Sequence, residues 1–279
     1  VVRRRVHLRA PAKVNIRLEI VGRREDGYHL LRTWIYPISL WDEMVVQRGE
    51  GLEVSCDHPE IPREDLCFKA ALLFFEELGL RGGVRIELKK GIPVGAGLGG
   101  GSSDAAAVLK ALRLLWAPEL PMEELMKVAA KVGADVPFFL VGGAACMGGI
   151  GEELIAPLPP LDLWLVLVHP GEPLSTAEVY RLHGEGLTTP RGRNSIFSRL
   201  PPKRWEEFLY NALEEVAQRL RPSIAVLKEL LLREGAQGVS MSGSGPTVFG
   251  IFSSHQQARR CYERLKGEED WQVFLVRLL

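Results

Sequence analysis

The stretch Pro93-Val-Gly-Ala-Gly-Leu-Gly-Gly-Gly-Ser-Ser-Asp-Ala-Ala-Ala107 changes character midway. Five of the seven residues from Gly95 to Gly101 are glycine, and the chain then turns to Ser102, Ser103, Asp104 and alanine. Glycine loses more backbone freedom on folding than any other residue, so such a loop carries an entropic cost. What it gains is tight turning and close approach of its N–H groups to a ligand. Directly after it, Val108, Leu109, Leu112, Leu115 and Trp116 recur at helical spacing, which predicts a helix over Ser102 to Trp116. Ser102, Ser103 and Asp104 suit its first turn. The free N–H groups and partial positive charge of that terminus favour an anion, most often phosphate. A plain flexible turn is the bland alternative, and the density of glycine speaks against it.

Two familiar phosphate motifs fail to account for the loop. Gly95-Ala-Gly97-Leu-Gly99-Gly100 matches G-x-G-x-x-G, and Val84–Leu88 before it alternates like a strand. A dinucleotide site then needs a second parallel strand ending in an acidic residue about 20 residues on. The chain offers Ala117-Pro-Glu-Leu-Pro121 and another helical pattern, Met122 to Val132, closed by Gly133. A P-loop needs a lysine after its glycines, and none follows.

Composition narrows the class. At 279 residues and 46% hydrophobic, the chain can build a large core and two domains. Lys plus Arg and Asp plus Glu number 35 each, so global charge does not point to nucleic acid. The Arg3-Arg4-Arg5 run has no apolar segment behind it and reads as a solvated terminus rather than a signal. No stretch has the length of a membrane span. Cys56, Cys67, Cys146 and Cys261 form no C-x-x-C pair, and His58 near Cys56 is too little for a metal site. Buried free thiols in a soluble, cytoplasmic protein are the expectation.

Strands are expected at Val6–Leu8, Lys13–Val21, Arg32–Pro37, Met44–Gln47, Trp164–Val168, Thr247–Phe252 and Gln272–Leu278. Helices are expected near Phe68–Leu78 and over Trp205–Leu220, Ile224–Glu234 and Gln256–Lys266. Leu154–Leu161, where prolines interrupt any regular element, reads as a boundary. Domains of residues 1–160 and 161–279 follow. Gly184–Lys203, with three prolines, reads as a loop. Strands and helices mixed without strict alternation make the fold class α+β. A second glycine cluster, Met241-Ser-Gly-Ser-Gly-Pro-Thr-Val-Phe-Gly250, is by itself a tight turn before a strand. Paired with the first, it would close over the same ligand.

Three segments carry a resemblance. Ala10-Pro-Ala-Lys13-Val-Asn15-Ile-Arg-Leu18, Pro93–Ala107 and Ser242–Phe249 resemble, in order and spacing, the three signature motifs of the GHMP small-molecule kinases. Arg24-Glu-Asp-Gly-Tyr28-His29 and Gly133-Ala-Asp135-Val-Pro137 resemble most the members that act on a cytidyl diphosphate sugar-alcohol in non-mevalonate isoprenoid precursor biosynthesis. The resemblance covers most of the chain. It implies a two-domain fold with the active site in the cleft between the domains, ATP as phosphoryl donor, and Mg²⁺ carried with the ATP.

It also implies roles. Pro93, Val94, Gly95, Ala96, Gly97, Leu98, Gly99, Gly100, Gly101, Ser102 and Ser103 would wrap the ATP phosphates, with Lys90 a further candidate for the nucleotide pocket. Lys13 and Asp135 match the family's catalytic lysine and aspartate. Asp135 would take the acceptor hydroxyl's proton, Lys13 would neutralise charge beside it, and Asn15 would orient the hydroxyl. Tyr28, His29 and Tyr180 would meet the cytosine by stacking and edge hydrogen bonds. Thr176, Gly243 and Ser244 complete the substrate side. One departure stands out: the family commonly has Asn where this chain has Asp65, in the region that meets adenine, and a carboxylate accepts but does not donate. A homoserine or mevalonate type of GHMP kinase is the runner-up; it would not need Asp-Gly-Tyr-His. A non-catalytic nucleotide-binding protein should have lost Lys13 or Asp135. No nucleic-acid or membrane partner is implied, and the sequence leaves oligomeric state open.

Overall fold

The computed structural model describes residues 4–62, 64–184, 202–268 and 270–279. It is α+β and forms two compact units interleaved along the chain. One takes the chain up to Ala12, Leu40–Val94 and Gly99–Gly142. The other takes Lys13–Ser39, Gly95–Leu98 and the described residues from Gly143 to Leu279. A single cut at residue 160 does not describe this packing. The reason is that two long strands, β1 (Arg5–Arg23) and β2 (His29–Gly49), each contribute to both units. β1 fuses the expected strands Val6–Leu8 and Lys13–Val21, and β2 fuses Arg32–Pro37 with Met44–Gln47. Pro11 and Pro37 lie inside them because the fixed φ of proline tolerates extended backbone.

In the first unit, β2 runs antiparallel to β4 (Gly83–Lys89), in register from Glu43↔Lys89 to Gly49↔Gly83. β3 (Leu52–Cys56) lies parallel on the other edge of β4. A parallel neighbour needs a crossover, which α1 (Leu66–Glu77) supplies. Val84, Ile86 and Leu88 are buried while Arg85, Glu87 and Lys89 are exposed, as a one-sided sheet requires. α2 (Gly100–Trp116) and α3 (Met122–Val132) follow the sequence periodicity, and α2 buries Ala105, Ala106, Ala107 and Ala111. β3 and the six-residue α4 (Val136–Val141) are too short to show a period.

In the second unit, Arg17 and Leu18 of β1 pair in parallel with β8 (Tyr210–Asn211). Thr33–Ile35 of β2 pairs antiparallel with β5 (Ala145–Gly148), itself paired with β6 (Glu153–Pro157). β6 corrects the expectation of no regular element from Leu154 onward; the strand stops where the prolines begin. An antiparallel sheet has the order β11 (Gln272–Arg277), β7 (Trp164–His169), β10 (Val248–Phe252), β9 (Val239–Met241). Val166, Val168, Val248 and Phe252 form its core with Leu227 and Leu231 of α8 (Ser223–Arg233) and Ala258 and Cys261 of α9 (His255–Leu265).

The expected helix Trp205–Leu220 is two short ones, α6 (Trp205–Phe208) and α7 (Glu214–Leu220), with β8 between them. Asn211 decides this. Its Nδ2 donates to the carbonyls of Met241 and Gly243, both at 2.8 Å, and its Oδ1 accepts from Leu213 N at 2.9 Å. Those buried bonds outweigh a local helical preference. α5 (Thr176–Gly184) precedes the expected Gly184–Lys203 loop, whose residues 185–201 lie outside the described residues. All four cysteines are free thiols, three of them buried. No helix among the described residues is long and apolar enough to cross a membrane.

Candidate active site

Lys13–Leu18 of the first segment, Gly95–Leu98 of the second and the third segment, Ser242–Phe249, meet in the second unit. Gly95, Gly97 and Gly99 all have positive φ (66°, 74° and 71°), while no non-glycine residue among those described does. Alternation of the two backbone hands turns successive N–H groups toward one side, a nest for an anion. The site's close approach is at Gly97, where a Cβ would lie 2.3 Å from the carbonyl oxygen of Ser242. Ser242 Oγ donates to Gly97 O at 3.0 Å and accepts from Asn15 N at 3.4 Å. Lys13 N donates to Leu98 O at 2.9 Å. The glycine loop, the second glycine cluster and β1 are therefore stitched together.

Lys13 and Asn15 are both buried, and Lys13 Nζ donates to Asn15 Oδ1 at 2.6 Å. Asn15 Nδ2 donates to Thr33 Oγ1 at 2.8 Å, and that hydroxyl donates to Arg17 O at 2.9 Å. The chain of bonds fixes the amide's orientation and leaves its oxygen facing the ammonium. A Cβ on Gly243 would lie 3.2 Å from Lys13 Nζ, so the second cluster presents bare backbone to the lysine. Ser244 Oγ and Thr176 Oγ1 are 2.7 Å apart, bringing together two further expected substrate residues.

The aromatic residues divide. His29 and Tyr180 have ring centroids 5.5 Å apart, and His183, unnoticed in the sequence, meets His29 edge-on at 5.8 Å. Burial, then His183 and Arg23, hold the His29 imidazole below its ordinary pKa. The ring is thus neutral at physiological pH, with one donor and one acceptor nitrogen. Tyr28 is 59% exposed, with the Arg24 guanidinium 5.6 Å from its ring centroid.

In the first unit α2 begins two residues ahead of the expected Ser102: Gly99 is its N-cap, without any side-chain bond, and Ser102 and Ser103 stand in its first turn. Gly100 and Gly101 are the first residues of the helix, preceded by half-buried Pro93 and Val94 and by buried Ala96. Ser103 Oγ is buried with no hydrogen-bond partner among the described residues. Lys90 points inward, its ammonium held by Asp42 and, at 2.8 Å, by Asp104. Burial pulls that lysine's pKa down, but the two carboxylates outweigh it and hold the pKa above the ordinary value. Burial and the neighbouring Asp42 push the Asp104 carboxyl up to about 8. Asp42 stands in no motif and Asp104 reads only as a residue of the first helical turn, so the sequence gives no sign of their pairing with Lys90.

Asp65 is the N-cap of α1, its Oδ1 accepting from Cys67 N at 2.9 Å and Phe68 N at 3.0 Å. A carboxylate performs that task as well as an amide, which accounts for the departure at this position. Asp135 stands at the N-cap position of α4 and is half-buried. No cluster of three or more His, Cys, Asp or Glu residues among those described is arranged to hold a metal ion.

A glycine nest beside a buried lysine and a fixed amide is suited to phosphoryl transfer. Residues 65–143 match the GHMP kinases N terminal domain and residues 200–269 match the GHMP kinases C terminal domain. The chain belongs to the GHMP kinases, which are ATP-dependent small-molecule kinases. Two relatives are each named 4-diphosphocytidyl-2-C-methyl-D-erythritol kinase. The protein of Geobacter metallireducens is 44% identical, covering 98% of each chain, and that of Syntrophus aciditrophicus is 42% identical, covering 96% and 97%. A crystal structure of 4-(cytidine 5'-diphospho)-2C-methyl-D-erythritol kinase is 40% identical, with a TM-score of 0.79 over 98% of this chain and 99% of that one. A homoserine kinase from Cytophaga hutchinsonii shares the fold at 20% identity, with a TM-score of 0.73 over 100% and 96% of the chains.

Proposed function

We propose that the chain transfers the γ-phosphoryl group of ATP to the 2-hydroxyl of 4-diphosphocytidyl-2-C-methyl-D-erythritol, a step of non-mevalonate isoprenoid precursor biosynthesis in the cytoplasm. The observation that carries this reading is full-length identity of about two-fifths to relatives of that one name. The homoserine and mevalonate kinases compared share only the fold, at 15–20% identity.

In this reading the glycine nest receives the phosphates, and the helix dipole of α2 adds positive potential there. Asp135 accepts the proton of the acceptor hydroxyl as it attacks, which makes the oxygen a better nucleophile. The Lys13 ammonium offsets the charge that develops. Asn15, already oriented through Thr33, holds the hydroxyl in line. Tyr180 and Tyr28 offer stacking faces to the cytosine, and neutral His29 offers a nitrogen to its edge.

Mg²⁺ would arrive with the ATP and would supply positive charge to offset that of the phosphates. The orphaned Ser103 hydroxyl is an oxygen donor of the kind such an ion or its phosphate takes.

The test is kcat/KM with ATP for the cytidyl substrate, its uridyl analogue and methylerythritol phosphate. Cytosine and uracil exchange a donor for an acceptor at two edge positions, and each buried group left unpaired costs about 1–3 kcal/mol. The cytidyl form is expected to be strongly preferred. Equal values for the two pyrimidines would remove edge recognition from His29, and good activity on homoserine or mevalonate would overturn the reading.

A further inference from the structure

A buried ionic cluster lies beside the glycine loop in the first unit and has no part in the chemistry described so far. Asp42 is 0% exposed, and the side chains of Lys90 and Asp104 are 6% and 1% exposed. Three ionisable groups are seldom taken out of water together without a task. Their bonds suggest what the task is. Asp42 Oδ1 accepts from Gly91 N at 2.6 Å and Ile92 N at 2.8 Å, fixing the turn that leads into Pro93. Its Oδ2 holds the ammonium of Lys90. That ammonium then reaches Asp104, on the first helical turns beyond Gly99, at 2.8 Å. A Cβ on Gly100 would come within 3.3 Å of the same nitrogen. Both ends of the glycine loop are thus fastened to one ammonium.

We propose that Asp42, Lys90 and Asp104 are positioning residues that hold the two ends of the glycine loop at a set separation and so set its affinity for nucleotide. This rests on the reading of the loop as the ATP phosphate site. They act through backbone geometry, since the ammonium is committed to the side-chain oxygens of Asp42 and Asp104. A loop of glycines has many conformations to lose on binding, and fastening its ends removes part of that cost beforehand.

The charge of the cluster also matters for an anionic ligand. The groups around Asp104 are Asp42 from β2, Lys90 from the end of β4, and Cys67 at the start of α1, itself beside Asp65; Asp57, whose Oδ1 accepts from Lys90 N at 2.9 Å, is near the lysine. Above about pH 8 the Asp104 carboxyl loses its proton, leaving two carboxylates against one ammonium beside the phosphate site. ATP should then bind more weakly.

The experiment compares wild type with Asp104→Leu, which drops the acceptor, and Asp104→Asn, which keeps an acceptor oxygen without a charge. Steady-state kinetics and calorimetric titration with ADP are run from pH 6.5 to 9.5. Wild-type turnover with ATP and the cytidyl substrate tests the underlying reading by itself; an inactive wild type defeats that reading, not the ionic brace. With an active wild type, Asp104→Leu should raise KM for ATP and Kd for ADP by about 10- to 100-fold, the scale of a misplaced binding group. KM for the acceptor should stay within threefold. Asp104→Asn should restore nucleotide affinity at pH 7 and lose the wild type's weakening above about pH 8. Unchanged nucleotide affinity in a folded Asp104→Leu overturns the proposal. If that variant does not fold, a pH profile for Asp104→Asn that retains the wild-type inflection does so instead.

Discussion

Replacing Gly97 by alanine probes the junction of the two glycine clusters, and Gly95→Ala supplies the control. Both positions have left-handed backbone, at φ +74° and +66°. An L-residue pays about 1–2 kcal/mol for that conformation, so each substitution carries this cost. They differ in surroundings. A Cβ at Gly95 meets nothing within 4 Å, whereas one at Gly97 would sit 2.3 Å from Ser242 O and 2.9 Å from Gly245 O. Neither neighbour is a flexible side chain; both are backbone. Overpacking of that kind costs a further ~1–3 kcal/mol. Gly97→Ala should therefore lose ~2–5 kcal/mol and Gly95→Ala ~1–2 kcal/mol. With a urea m-value of about 3 kcal/mol/M, an excess loss of ~1.5 kcal/mol moves the midpoint by about 0.5 M. Urea unfolding without nucleotide, followed by circular dichroism, reads the difference. Coincident midpoints for the two variants would refute the claim that the loop is held against the Ser242–Gly245 turn.

Asp65→Ala should cost about 0.5–2 kcal/mol through loss of the α1 cap, and Asp65→Asn much less; equal losses in urea unfolding would exclude the capping role. Asp135→Asn should keep ADP affinity but lower kcat by about 10²–10⁴-fold, the usual contribution of a general base; near-normal turnover across pH would exclude it. Activity should vanish in excess chelator and return with Mg²⁺, while calorimetry without nucleotide should detect no tight Mg²⁺ binding. Full activity in chelator, or a tight site in the protein alone, would each contradict the assignment of the ion to ATP.

The strongly periodic elements were legible because their burial is local in pattern. α2, α3, α8 and α9 follow their apolar spacing to within a residue or two, as do β7, β10 and β11. Trp205–Leu220 has a similar pattern and still breaks, because Asn211 finds buried partners in a segment 30 residues further on. Composition cannot report such a partner.

The site divides in the same way. Glycine density before a helix pointed to a nest suited to an anion, since few other needs justify that loss of backbone freedom. The resemblance of three separated segments supplied the chemistry. Nothing in the spacing, however, revealed that Gly97 must be bare because Ser242 O lies against it. Nor did it reveal that Thr33 orients Asn15, or that Lys90 turns inward to Asp42 and Asp104. By itself the sequence determined the strongly periodic helices and strands and the glycine nest, because propensity and periodicity act over a few bonds. Only the tertiary structure decided which of those segments share one site and which charges are buried together. Hydrogen bonds and ion pairs act over about 3 Å of space whatever the separation in sequence, and desolvation gives them their strength.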